Sequence, residues 1–285
     1  MNVVLREIGT IYSALAQDRE CALEESLQFG QYIQWRREEA NEKHEKYWLE
    51  KLAGPLPALN LPVDRPHPPL KTYRGGRQAL VLDADLCQKV ARLSRENGCT
   101  PFMTFFSIYA LWIHRLTGQD DIIVGIPVAG RPAESGYDKL VGYCTHLLPI
   151  RSEVEDGDDF PVYLKRMRGV LLDAYQHQNY SFADLINRLN LHRDGSHSPL
   201  VSTVFNLDRP GEAPPMAGIE VSWASAPVQF TAFDITVNLT EVADQFILEC
   251  DFNRDVFDSD SIERFIGHFQ TLMAGAVEDP ESRIA

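Results

Sequence analysis

Eight histidines are the first residues to question in this 285-residue chain, because an imidazole serves as base, acid or metal ligand near neutral pH. His192 and His197 bracket the run His192-Arg193-Asp194-Gly195-Ser196-His197. Metal ligation needs clustered His, Cys or carboxylate side chains, and this run comes nearest to such a cluster. Its polar, turn-forming composition reads more simply as a solvated turn. His44 and His268 sit among polar neighbours on helical segments and are expected at the surface, while His114 closes an apolar helix and is expected at the core edge. His146, in GYCTHLLPIR, and His177, in HQNYSF, lie where aromatic, small and polar residues mix at element boundaries, which is where binding residues collect. On the residues alone, both remain open between a structural and a binding role.

Other chemistry is largely excluded. The chain has no GxSxG elbow, no Walker loop and no GxGxxG after a strand. The five cysteines, Cys21, Cys87, Cys99, Cys144 and Cys250, form no CxxC pair and are odd in number. They read as reduced, mostly buried thiols of a cytoplasmic protein. A net charge of −14, from 27 Lys+Arg against 41 Asp+Glu, repels phosphate backbones and argues against nucleic-acid binding. No apolar run is long enough to span a bilayer, and MNVVLREIGTIYSAL lacks the features of a signal peptide. Without secretion, the sequon Asn238-Leu239-Thr240 carries no meaning.

The elements that must position these residues alternate. Val4, Ile8, Ile11, Tyr12 and Leu15 share one face of a helix over Val3 to Leu15. With nothing ahead of it to act as a cap, this helix reads as the start of a piece cut from something longer. A second helical stretch runs from Leu27 to Leu52, its charges alternating in sign as on a solvated face. The segment Gly54 to Pro69 contains six prolines and reads as an extended crossing. Beyond it the spacing predicts a strand at Arg77–Leu82, a helix at Asp85–Asn97 stopped by Gly98, and an apolar, buried helix opened by Pro101. A buried strand at 121–128 follows, then a Gly/Pro loop, a strand through Leu147–Ile150, and helices at Phe160–Gln176 and Phe182–Leu189. Strands at Val201–Leu207, Phe233–Glu241 and Gln245–Asp251 precede a last helix from Ser259 to Ala276, capped by Ser259 or Asp258. This alternation gives an α/β domain around a mixed sheet.

Several segments, in order, resemble the condensation domains of nonribosomal peptide synthetases. Gln31-Tyr32-Ile33-Gln34-Trp35 is similar to the family's fourth core motif, a tyrosine-rich run ending in Trp. Gly142-Tyr143-Cys144-Thr145-His146, continuing to Arg151, resembles the fifth, IGxFVNT followed by Arg. His177-Gln178-Asn179-Tyr180-Ser181-Phe182 is close to the sixth, HQDYPF, and Arg193-Asp194-Gly195-Ser196-His197-Ser198-Pro199-Leu200 fits the seventh, RDxSxxPL. Tyr47-Trp48, Gly125-Ile126-Pro127-Val128-Ala129-Gly130-Arg131 and Phe252-Asn253-Arg254-Asp255 also follow the family pattern. Two departures stand out. His146 occupies the place of the fifth motif's Asn, and HHxxxDG, the motif that carries the family's catalytic histidine, occurs nowhere in the chain.

The resemblance implies a two-layer, mixed-sheet lobe similar to chloramphenicol acetyltransferase, one half of a V-shaped pseudodimer with a tunnel between its lobes. It further implies helices linking from a missing N-terminal lobe over residues 1–50, a proline-rich crossing over 51–76, and the C-terminal condensation lobe over 77–285. The implied activity is attack of a carrier-bound aminoacyl amine on a carrier-bound acyl or peptidyl thioester, giving an amide. Without HHxxxDG the chain by itself is expected to be inactive, and no catalytic residue is assigned within it. Tunnel positions are implied at Gly125, Pro127, Arg131, Gly142, Thr145, His146, Asn206 and Asp234, with bulky replacements at Gly142 or Thr145 expected to spare the fold. Structural motif positions are Trp35, Arg151, His177, Gln178, Tyr180, Arg193, Asp194 and Pro199. No cofactor or metal is expected on this domain. Expected partners are donor and acceptor peptidyl carrier proteins bringing substrates on phosphopantetheine arms, the N-terminal lobe, and a downstream adenylation domain. Residues 1–16 are expected to associate with a second copy or to be poorly ordered. Two alternatives stay open: a same-fold epimerisation domain or freestanding acyltransferase, and a non-catalytic module that recruits other enzymes. Thr203-Val204-Phe205-Asn206-Leu207-Asp208 stands where epimerisation domains carry an FNYLGQ-like stretch, which argues against that one.

Overall fold

The computed structural model describes the chain except for residues 1, 40–41, 132–135, 138, 156, 192–194, 210–213, 223–225, 243–244 and 285. The described elements are, in order, α1 (Asn2–Ala16), α2 (Phe29–Glu39), α3 (Glu42–Lys51), β1 (Gly75–Val81), α4 (Ala84–Glu96), α5 (Pro101–Thr117), β2 (Asp121–Val128), β3 (His146–Glu153), α6 (Phe160–Gln176), α7 (Phe182–Leu189), β4 (Thr203–Asp208), β5 (Ile235–Val242), β6 (Gln245–Asn253) and α8 (Ser259–Glu278). α5 illustrates how sequence sets these boundaries. The Thr100 hydroxyl accepts from the Met103 N–H at 3.2 Å, Pro101 opens the first turn, and Gly118 closes the helix at φ +67°.

The strands form one mixed sheet in the order β1-β6-β5-β4-β2-β3. β2, β4 and β5 run parallel, with Gly125 paired to Val204 and Asn206 to Asn238; the other pairings are antiparallel. One face packs on the helices α4, α5, α6 and α8. Phe205 meets the rings of Phe102, Phe106 and Tyr109, and the Trp112 indole donates to the Phe265 carbonyl at 3.0 Å. Trp112 is buried, so truncating it to alanine would cost about 3–5 kcal/mol.

The second face differs. Along β5, Ile235, Val237 and Leu239 are buried on the helix side, while Thr236, Asn238 and Thr240 alternate onto the other side, half-buried. Asn206 and Asp208 of β4 share that second face, as do Glu249 and Asp251 of β6. Arg77 of β1 donates to Glu249 at 2.5 Å and to Asp251 at 2.5 and 2.9 Å. At the β2–β3 end this face is crossed by chain. There Arg151 holds the Asp121 carboxylate at 2.7 and 2.9 Å and donates to the carbonyls of Ala53 and Pro55 at 2.9 and 3.0 Å. The proline-rich crossing is thereby tied to the sheet.

Two expectations need correction. The stretch Leu27–Leu52 folds as two helices, α2 and α3, with residues 40–41 outside the described residues. His44 is buried, its Nδ1 2.9 Å from His177 Nδ1; Glu42, Lys43 and Lys46 beside it are exposed, while Glu45 turns inward with it onto Tyr180. Asp258 is the N-cap of α8, yet its side chain makes no capping bond. Instead the Asp64 carboxylate accepts from the Asp258 N–H at 2.8 Å and from the Ser261 hydroxyl at 2.7 Å. These donors hold the Asp64 carboxyl below its ordinary range. The stripe on α1 faces outward: Val4, Ile8, Ile11 and Leu15 are 39%, 47%, 38% and 69% exposed. α1 rests through its small-residue side, where Gly9 lies against Pro214 and Pro215 and the Ser13 hydroxyl accepts from the Ala217 N–H at 3.0 Å.

Candidate functional site

The carboxyl ends of parallel strands are where α/β sheets collect ligands, and β2, β4 and β5 present theirs together. On the second face, Gly125 leaves β2 without a side chain. A Cβ there would stand 2.8–3.1 Å from Val201, Leu147 and Val204. Pro127, paired to Leu147, continues the same strip. Next to it Asn206 donates to Asn238 Oδ1 at 2.9 Å and to Asp208 Oδ2 at 2.8 Å, and Asn238 donates to the Thr240 hydroxyl at 3.0 Å. The Asn206 amide N–H groups are therefore committed, while its carbonyl oxygen, an acceptor, has no partner among the described residues.

The loop from β2 to β3 closes this end of the sheet, and α2 seats it. The Tyr32 hydroxyl donates to the Gly130 carbonyl at 2.8 Å, lies 3.3 Å from the Cys144 carbonyl, and meets His146 Nε2 at 3.1 Å. Tyr32 is 1% and His146 9% exposed. Burial pushes the phenol up to about 12, with Arg36 pulling the other way. Burial, with a further push from Arg36, holds His146 down to about 4. His146 is thus neutral at physiological pH and too weak a base to accept a proton from an amine. Gly130 has φ +35°, and a Cβ there would run into the His146 ring and the Cys144 carbonyl. Gly142 is a close-approach glycine as well: its Cβ position is filled by the Phe29 ring. This corrects the expectation that Trp at Gly142 would leave the fold intact. Thr145 is exposed, and Val141 and Tyr143 stand out from the loop at 51% and 83% exposure. Arg131 is half-buried and close enough for its charge to act on the Tyr32 phenol.

Of the implied tunnel residues, the sheet brings together Gly125, Pro127 and Asn206, and the loop brings Arg131, Gly142, Thr145 and His146 to the same end. Asp234 is elsewhere. It precedes β5 at the opposite end of the strand, 2% exposed, with Oδ2 3.1 Å from His67 Nε2 and Oδ1 without a hydrogen bond.

The motif positions outside the tunnel make these contacts. Trp35 packs against Tyr32 and Tyr137 at ring distances of 5.9 and 5.7 Å. His177 stacks on Tyr47 at 4.0 Å and 6°, and its carbonyl accepts from the Trp48 indole at 2.9 Å. Gln178 turns the chain behind α6, its N–H donating to the Tyr175 carbonyl at 3.4 Å. The Tyr180 hydroxyl donates to Glu45 at 2.9 Å. Pro199 is exposed, and its carbonyl accepts from the Val201 N–H at 2.8 Å. Arg193 and Asp194 lie outside the described residues.

Asn238, Asp208 and the Tyr32 hydroxyl were not singled out in the sequence. The strict alternation Ile235-Thr236-Val237-Asn238-Leu239-Thr240 was the available signal for the first. All five cysteines are free, and four of them are buried. Among the described residues no group of three or more His, Cys, Asp or Glu could hold a metal, and no helix is long and apolar enough to cross a membrane.

The chain resembles known proteins over its full length. It is 36% identical over 294 residues to a component of the linear gramicidin synthase of Brevibacillus parabrevis, matching all of this chain and 6% of that protein. It is 35% identical over 289 residues to surfactin synthase subunit 1 of Bacillus subtilis (strain 168), matching all of this chain and 8% of that one. Among solved structures, the X-domain from teicoplanin biosynthesis matches 100% of this chain with 67% of its own length, at a TM-score of 0.88 and 22% identity. A four-domain nonribosomal peptide synthetase bound to AMP and glycine matches 99% of this chain with 23% of its own, at 0.85 and 18%. The sequence pattern of the condensation domain extends from residue 1 to residue 285, and on that match the chain belongs to the condensation-domain family.

Proposed function

We propose that this chain is the C-terminal part of a nonribosomal peptide synthetase condensation domain, supplying one wall and the floor of the tunnel in which an amide bond is made. In the reaction the acceptor's amine nitrogen attacks the donor's thioester carbonyl. The C–N bond forms, the C–S bond breaks, the carrier thiol leaves and the amine loses a proton. A thioester is already activated, so orienting the amine and excluding water account for much of the rate.

The observation that carries this reading is the polar row of Asn206, Asp208 and Asn238 at the carboxyl ends of the parallel strands β4 and β5. Pro127 is half-buried beside this row, and the unpartnered carbonyl of Asn206 is suited to accept a hydrogen bond from the attacking amine. Neither of the two motif histidines is suited to act as the base. His146 is neutral and acid-shifted, His177 is committed to Tyr47 and His44, and HHxxxDG is absent from the sequence. The chain alone is therefore inactive, and the donor and acceptor carriers, an N-terminal lobe with the histidine motif and a downstream adenylation domain are its proposed partners.

The test is Asn206→Ala in the complete domain. Loss of one oriented hydrogen bond to substrate should lower kcat by about tenfold to a hundredfold, while loss of the bonds to Asn238 and Asp208 costs about 1–3 kcal/mol of stability. An unchanged kcat would remove Asn206 from the site. A second reading, a non-catalytic recruiting module, is favoured by the fold shared with the teicoplanin X-domain, which was also solved in complex with OxyB. Stronger sequence identity to the gramicidin and surfactin synthases favours the first.

A further inference from the structure

We propose that Tyr32 is a positioning residue of the site, its single hydroxyl joining the two ends of the β2–β3 loop and fixing His146 in one tautomer. This rests on the condensation reading for its functional consequence only.

A phenol has one proton to give and lone pairs to receive with. The Gly130 carbonyl at 2.8 Å is nearer than the Cys144 carbonyl at 3.3 Å, so the proton points to Gly130. His146 Nε2, 3.1 Å from the same oxygen, must then be the donor, which places the imidazole proton on Nε2 and leaves Nδ1 with its lone pair. Both groups stay uncharged near neutral pH, because burial raises the phenol to about 12 and lowers the imidazole to about 4. Gly130 stands just beyond the end of β2 and His146 begins β3, so one oxygen closes a loop whose last four residues include Gly142 and Thr145. The closure depends on glycine at 130, where any Cβ would displace the imidazole. Phe29, Trp35 and Tyr137 hold the Tyr32 ring, so Tyr32→Phe removes the hydroxyl and leaves the packing.

Two measurements test this. The first is nitrogen NMR of the His146 imidazole in the 285-residue chain, its signal assigned by its loss in His146→Asn. The wild type should show the neutral Nε2–H form from pH 7 down to 5, and Tyr32→Phe should show a mixture of tautomers. A wild-type His146 that titrates near the ordinary value of about 6.5, or that carries its proton on Nδ1, overturns the proposal whatever the chain's activity. The second is turnover of the complete domain with loaded carriers. Tyr32→Phe should lower kcat about tenfold with KM changed less than about twofold. His146→Asn, which leaves the phenol's bond to the Gly130 carbonyl, should lose less. Equal kcat for wild type and Tyr32→Phe sinks the proposal while leaving the condensation reading intact. An inactive wild type sinks the condensation reading, and the NMR result then decides the tautomer lock by itself. Should Tyr32→Phe fail to fold, the wild-type NMR result again decides.

Discussion

His44 and His177 meet Nδ1 to Nδ1 at 2.9 Å, although 133 residues separate them in sequence. One of the two must be the donor and the other must keep a lone pair, so the contact survives only while at least one ring is neutral. It belongs to a clasp in which α3 grips the turn after α6 through His44, Glu45, Tyr47 and Trp48. Burial, followed by the charges of His44 and Lys43, lowers the pKa of His177.

A pH dependence follows from that shift. With the folded pKa below the unfolded value of about 6.5, the unfolded chain binds more protons. The clasp's stability is complete above about pH 6.5 and is lost as the pH falls through the folded pKa. At pH 7.5, His44→Asn should lower unfolding stability by about 1 kcal/mol, the worth of one buried hydrogen bond. At pH 5 the variant and the wild type should converge. Thermal melts at the two pH values check this, and a difference that grows on acidification would show that the pair is held together by charge.

Gly130 and Gly142 should both resist substitution, for different reasons. At Gly130 an alanine meets a left-handed backbone, the His146 ring and the Cys144 carbonyl at once, for a cost of about 1–3 kcal/mol. At Gly142 it meets only the Phe29 ring, which is 37% exposed and can yield. Gly142→Ala should therefore be milder, and Phe29→Ala should rescue it. Chemical denaturation of the three variants checks the order; a lack of rescue would mean that Phe29 does not seat the loop.

The stripe Val4, Ile8, Ile11 and Leu15 leaves four aliphatic side chains largely in water, each forgoing up to about 1.5–3 kcal/mol of burial. In the 285-residue chain α1 should pair with a second copy or exchange its amide hydrogens rapidly. Ile8→Glu with Leu15→Glu should abolish any concentration-dependent dimer seen by light scattering. A monomer with strongly protected amides over its first fifteen residues would contradict this.

Most of the fold was legible because its signals are local. Thr100-Pro101 and Gly118 mark α5, and the alternation over residues 235–240 marks β5. The site was legible in part. Gly125, Asn206 and His146 were reached through the family resemblance, but what they touch depends on contacts far apart in sequence, such as Tyr32 with Gly130, 98 residues away. Asp234 shows the same limit. Its partner is His67, in the proline-rich crossing, a contact that nothing in its own segment signals. His44 was misjudged because charged neighbours describe one side of a helix and say nothing of the other.

The central claim is that this chain holds one half of a condensation site. The direct test measures amide product by mass spectrometry from loaded donor and acceptor carriers. One reaction receives the 285-residue chain alone; the other receives the same chain joined to an upstream half that carries HHxxxDG. The account predicts no product above background in the first and steady turnover in the second. Turnover by the chain alone, abolished by His146→Asn or His177→Asn, would contradict it.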